Sequence, residues 1–235
     1  MGRIFALEDC RDIERIGAMC MHLAVLKRAN LPVVPGYVIP ANCELEDGLS
    51  NELLRKFELL DCESVILRTS PLSLDLDGEA LRNVKREALI DAVKYLQKNV
   101  TRRGRRAAIL MQKNLNAEIS GTAHTINPVT NDSDEYLIEV HLWMNDTVLG
   151  GASDPDIIIV NRRTGALVSE SDELNCTLLS AKQIEMLFTA LRKIEKHSTV
   201  ALSIDWAIDN GKLFILRVRP INEKTKERYH ELNYD

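Results

Sequence analysis

The apolar residues change their spacing partway along the chain, and the change divides it into two stretches of different character. From Asp12 to Lys27, the residues Ile16, Cys20, Leu23 and Leu26 recur at three- and four-residue intervals, which places them on one side of a helix. The stretch "NLPVVPGYVIP" then interrupts with three prolines and a glycine, predicting a turn and a short strand. Leu49, Leu53, Leu54, Phe57 and Leu60 restore helical spacing, and "SVILRTS" at 64–70 reads as a strand. The span 79–98 places Leu81, Val84, Ala88, Leu89, Ala92, Val93 and Leu96 on one face and is expected to be the longest helix of the first half.

From "AAILMQ" at 107 onward the chain reads as short strands: "ISGTAHTI", "YLIEVHLW", "DIIIVNRRTGALVSE", "LSIDWAI" and "KLFILRVR". The dipeptides "TG" at 164–165 and "NG" at 210–211 are hairpin signals. One amphipathic helix interrupts them, with Ile184, Leu187, Phe188, Leu191 and Ile194 inward. The expectation is an α+β chain of two lobes. A helix-rich N-terminal lobe covers 1–106, a strand-rich, mainly antiparallel C-terminal lobe covers 107–235, the hinge lies near "ILMQK", and a ligand cleft lies between the lobes.

Composition narrows the class. Across 235 residues, 45% hydrophobic and 28% charged content describes a folded globular chain. A net charge of -5 argues against a general nucleic-acid binder. The basic run "TRRGRR" at 101–106 is local, either a solvated turn after a helix or a patch for phosphate or a partner. The five cysteines include no C-x-x-C pair and read as reduced thiols. No apolar run approaches the roughly 18 residues of a membrane span, and the N-terminus lacks a signal-peptide layout, so a cytoplasmic protein with no membrane partner is expected.

Candidate chemistry gathers near the C-terminal strands. Strict alternation along "KLFILRVR" puts Leu213, Ile215, Arg217 and Arg219 on one face, and the preceding strand groups Ser203, Asp205, Ala207 and Asp209. If the hairpin aligns them, Asp205 stands beside two arginines. Such a cluster is either a salt-bridged sheet face or a polyphosphate site, with arginine forks for phosphate oxygens and the carboxylate for a divalent cation. Arg68 ends the strand "VILRTS" as a third arginine.

The order of the motifs adds a resemblance. The chain carries "IGAMCMHLAVL" at 16–26, "LPVVPGYV" at 31–38, "VILRTS" at 65–70 and "ILMQKNL" at 109–115. It continues with "ISGTAHTINPVTND" at 119–132, "GGASDPD" at 150–156, "LSIDWAID" at 202–209 and "LFILRVRPI" at 213–221. In this order they resemble the N-terminal nucleotide-binding domain of the phosphoenolpyruvate synthase and pyruvate phosphate dikinase family, an ATP-grasp-like fold. The resemblance implies an adenine nucleotide, ATP, with Arg68 and Arg219 on its phosphates in catalytic roles and Gln112 at the adenine end. It implies magnesium at Asp205, where the family has glutamate.

The departures from the family pattern fall at the same site. Its Gly-Gly-Lys lysine aligns with Met19, which cannot donate a hydrogen bond to phosphate. A glutamine beside the metal becomes Arg217, whose guanidinium has no lone pair for magnesium. The family's "GLGE" loop aligns with "WMND" at 143–146, so Trp143 and Asn145 replace glycines. His124 and His141 read as packing residues, His22 either approaches the nucleotide or takes a capping or surface role, and no phosphohistidine domain is expected after "RPIN". Two expectations stand. One is a phosphoryl-donating, kinase-like subunit working with a separate phosphohistidine-bearing protein; the other is a catalytically degenerate nucleotide-binding or regulatory subunit.

Overall fold

The computed structural model describes residues 3–43, 45, 47–72, 78–142, 156–168, 178–222 and 225. The chain divides into two compact units, Met1–Leu115 and Asn116–Asp235.

The first unit holds β1 (Phe5–Ala6), α1 (Ile13–Arg28), β2 (Gly36–Ile39), α2 (Asp47–Leu59), β3 (Ser64–Pro71), β4 (Ala80–Lys85), α3 (Leu89–Arg102) and β5 (Ala107–Lys113). Its strands form an antiparallel sheet in the order β1-β2-β5-β3-β4. One face of the sheet is apolar. Val65 and Leu67 of β3, with Ile109 and Met111 of β5, pack there with Leu53 and Phe57 of α2 and Leu89, Val93 and Leu96 of α3. Helix α1 lies on the opposite face, where Ser70 Oγ accepts from the Cys20 amide at 3.3 Å. That approach requires Gly17. Its φ of 74° kinks α1, and a methyl group there would sit 2.5 Å from the Pro71 carbonyl oxygen and 2.6 Å from Ser70 Oγ.

Two expectations change. Residues 80–85, read as the start of a long helix, form the edge strand β4, and α3 begins only at Leu89. Leu81 and Val84 are three apart, as on a helix, yet both meet the core because β4 carries an extra residue. Val84 pairs with Val65 and Leu81 with Leu67, so three steps on β4 face two on β3, and Asn83 adopts a left-handed φ of 53°. The bulge turns helical spacing into a one-sided strand. The boundary expected at 106/107 instead falls at 115/116, since β5 pairs with both β2 and β3 and is an inner strand of the first sheet.

The second unit holds β6 (Ile119–His124), β7 (Glu135–Leu142), β8 (Asp156–Asn161), α4 (Ala181–Ile194), β9 (Leu202–Asp209) and β10 (Lys212–Pro220). They form an antiparallel sheet in the order β10-β9-β6-β7-β8. The β9–β10 turn uses Asn210 at φ 50° and Gly211 at φ 69°, the positive-φ pair that "NG" supplies in a two-residue hairpin. Helix α4 starts in a capping box: Ser180 Oγ accepts from the Gln183 amide, and Gln183 Oε1 accepts from the Ser180 amide at 2.8 Å. Tyr136 and Phe188 place α4 against β7, with ring centroids 6.0 Å apart. The Tyr136 hydroxyl donates to Glu195 at 2.6 Å, and burial followed by that carboxylate pushes its pKa upward. No helix among the described residues is long and apolar enough to cross a membrane.

Gly121 on β6 lies against the Glu139 backbone of β7. A methyl group there would run into the Glu139 carbonyl and stand 2.7 Å from Trp206 Cζ2. Gly121→Ala is expected to lower stability by about 3 kcal/mol, an overpacking cost. The drop should appear as a lower urea midpoint, and an unchanged midpoint would contradict the close β6–β7 approach.

Candidate functional site

In the first unit, Arg68 and Gln112 come together on the α1 face of the sheet. Arg68 Nη1 donates to Gln112 Oε1 at 3.0 Å, and Gln112 Nε2 donates to the Val34 carbonyl at 3.1 Å. Gln112 is buried, and the backbone of Gly36 makes room for it: a Cβ at Gly36 would lie 2.8 Å from Gln112 Cγ. The "VPG" turn thus creates the slot that holds the glutamine, and the glutamine steadies the arginine. Met19 stands half-buried two residues after the Gly17 kink, on the helix whose Cys20 amide meets Ser70, two residues after Arg68. Its thioether offers no charge there.

In the second unit, Asp205, Arg217 and Arg219 come together across β9 and β10. Arg217 pairs directly with Asp205, and Arg219 with Ser203. Strict alternation would have put both arginines on the face of Ile215. Instead the register shifts between Ile215 and Arg217, adding one residue to β10. Leu213, Ile215, Leu216 and Val218 are therefore buried, while Arg217 and Arg219 are half-buried. Without the bulge, the core and the arginine pair would demand opposite faces.

Asp205 is engaged on both oxygens. Oδ2 accepts from Arg217 Nε at 2.9 Å, and Oδ1 accepts from the Thr122 hydroxyl at 3.4 Å, with Arg219 Nη2 at 3.7 Å. Arg219 Nε also donates to Ser203 Oγ at 3.4 Å. The pairing continues across the sheet as Arg217–Asp205–Thr122–Glu139, ending on a fully buried carboxylate. Thr122, Ser203 and Ser70 were not among the expected site residues. Ser203 could have been found from its alternation with Asp205, whereas Thr122 shows only once β6 is paired with β9.

These groups do not fit a magnesium ion. The one carboxylate expected to hold it is bridged by a guanidinium, which carries positive charge and has no lone pair. Among the described residues no cluster of three or more His, Cys, Asp or Glu side chains could hold a metal. The cysteines offer no ready nucleophile either. Burial pushes the Cys20 thiol up to about 12, and burial followed by the Asp9 charge pushes Cys10 up to about 11. His124 is buried on β6, and His22 and His141 are half-buried. Trp143, Asn145 and Cys176 lie outside the described residues.

Residues 79–177 match the family profile described as pyruvate phosphate dikinase, AMP/ATP-binding domain. A probable phosphoenolpyruvate synthase of Methanocaldococcus jannaschii is 30% identical over 142 residues, covering 51% of this chain and 12% of that protein. The Bacillus subtilis protein described as uncharacterized phosphotransferase YvkC is 24% identical over 261 residues, covering 91% of this chain and 30% of that one. The chain thus matches under a third of the length of these relatives. Among solved structures, N5-carboxyaminoimidazole synthase of Aspergillus clavatus, in complex with ADP and a ribonucleotide, aligns with a TM-score of 0.52 at 10% identity, over 87% of this chain and 43% of that one. D-alanyl-alanine synthetase A of Vibrio cholerae aligns at 0.51 and 10%, over 90% and 58%. The fold is ATP-grasp-like, and the resemblance read from the motifs to the pyruvate phosphate dikinase and phosphoenolpyruvate synthase family holds.

The Arg68–Gln112 bond has a structural consequence that needs no ligand. Arg68→Ala removes a donor from the buried Gln112 carbonyl oxygen and is expected to lower stability by about 1–3 kcal/mol, the cost of a buried acceptor left without that bond. Chemical denaturation of the ligand-free protein measures it, and an unchanged stability would show that the bond does not hold Gln112 in place.

Proposed function

We propose that this chain is a cytoplasmic ATP-binding module of the kind that donates phosphoryl groups in phosphoenolpyruvate synthase and pyruvate phosphate dikinase. What supports the reading is one observation. The residues that the family resemblance assigns to ATP form two arginine-centred polar clusters, Arg68 with Gln112 in one unit and Asp205 with Arg217 and Arg219 in the other. Arg68 and Arg219 would take the phosphates through guanidinium forks, which suit phosphate oxygens better than a point charge does. Gln112 would mark the adenine end and fix Arg68.

In this reading Arg217 takes over part of the work of a divalent cation. It neutralises Asp205, so the phosphates meet Arg219 without facing a bare carboxylate. Phosphoryl transfer depends on positioning and on neutralising charge at the transferred group. Met19 supplies neither, so transfer by this module alone would be slow. The acceptor would be a histidine on a phosphohistidine-bearing partner. The bond between Arg217 and Asp205 also favours a second reading, a regulatory module that binds nucleotide and transfers nothing.

Calorimetric titration with ATP is expected to show saturable binding, weakened about 10- to 100-fold in Arg219→Gln by loss of charge-assisted bonds. If saturating ATP gives neither heat nor a shift in melting temperature, the nucleotide reading fails. ATP labelled at its γ or β phosphate separates the two readings. Acid-labile label on an added phosphohistidine-bearing protein supports the donor, and label on no protein supports the regulatory module.

A further inference from the structure

Helix α3 ends in a motif followed by arginines that line one concavity. The Arg105 amide donates to the Val100 carbonyl at 3.1 Å and the Gly104 amide to Thr101 at 2.9 Å, with Gly104 at a left-handed φ of 64°. This is a Schellman cap with glycine at its left-handed position. The Leu72 amide donates to the Arg106 carbonyl at 3.0 Å and ties the start of β5 to the end of β3. Arg103, Arg105 and Arg106 then line a shallow concavity with Thr69 and Glu79, enclosing about 320 Å³ of space with its open mouth included.

The concavity lies apart from Arg68 and Gln112. Thr69 alternates with Arg68 along β3 and so belongs to the opposite face of the sheet, the side on which α3 packs. Arg86, Arg162, Arg163, Arg217 and Arg219 each stand within 4.0 Å of a carboxylate. Among the described residues, Arg103, Arg105 and Arg106 have no such partner. Glu79 is the one acid among the described lining residues, and its carboxylate accepts from Asn99 at 3.3 Å. Favourable interaction with the helix dipole accounts for basic residues in the last turn of α3. It does not account for Arg105 and Arg106, which lie beyond the helix end.

We infer that this concavity is a second anion site, separate from the nucleotide residues, and that it takes the phosphate group of a small phosphorylated molecule. Among the described lining residues, three guanidinium groups against one carboxylate leave a net charge of two positive, which complements a phosphate monoester carrying about -1.5 to -2 at neutral pH. Main-chain bonds fix the backbone of the loop that carries the arginines. Binding is expected to weaken as pH falls through about 6, where the phosphate loses its second charge while arginine keeps its own.

The test uses inorganic phosphate and glycerol phosphate as probes on the whole chain, by calorimetry and by the arginine Nε–H signals in NMR. Both probes should bind saturably with ATP present, shifting the signals of Arg103, Arg105 and Arg106. The double variant Arg105→Gln with Arg106→Gln should lose about 10- to 100-fold in phosphate affinity and keep its ATP affinity, since only these charge-assisted bonds are removed. Arg219→Gln should leave phosphate binding unchanged. Circular dichroism on the double variant checks that the exposed loop changes leave the fold intact. Phosphate binding that survives the double variant, that disappears in Arg219→Gln, or that saturating ATP abolishes would overturn the inference. So would an absence of saturable binding to the unaltered chain.

Discussion

The charge-assisted bond from Arg217 Nε to Asp205 Oδ2 sets the character of the second unit's polar face. It joins an anion and a cation that strict alternation along β10 would have separated, and it exists because the strand takes on one extra residue after Ile215. The bulge satisfies two demands together. Leu216 and Val218 enter the core beside Ile215, and the two arginines turn to meet Asp205 and Ser203. With both oxygens engaged, Asp205 acts as an anchor that orients guanidinium groups. The pair is partly exposed, with side chains 26% and 29% accessible, so its value lies in orientation more than in stability.

The same economy appears in the first unit. Gln112 spends its amide on Val34 and its carbonyl on Arg68, so the residue expected at the adenine end acts first as a strut for an arginine. Glycines at 17 and 36 make this possible by letting backbone approach where a side chain would collide. Each cluster is therefore arranged by main-chain geometry before any ligand arrives, a form of preorganisation that lowers the cost of binding a polyanion.

Much of this was legible in the residues. The "NG" turn and the α4 periodicity followed from local rules, and the family resemblance followed from the order of short motifs. What escaped was one-residue irregularity. An extra residue in β4 made Leu81 and Val84 look helical, and another in β10 broke the alternation that assigned faces. A bulge is invisible to periodicity because it changes phase without changing composition. The unit boundary was missed for a different reason. β5 follows a change in composition but pairs backward with β2 and β3, and long-range pairing leaves no local mark. Thr122 was missed in the same way, since its tie to Asp205 depends on β6 lying beside β9.

The central claim is that Arg217 stands in for a cation at Asp205. It is tested most directly by titrating ATP into the unaltered chain and into Arg217→Gln, each with magnesium and with a chelator. The account predicts that the unaltered chain binds ATP with affinities within about twofold of each other in the two conditions. Arg217→Gln should gain a magnesium dependence of about tenfold, as a charge-assisted contact is exchanged for a metal-assisted one. Binding by the unaltered chain that requires magnesium, with no added dependence in the variant, would contradict it.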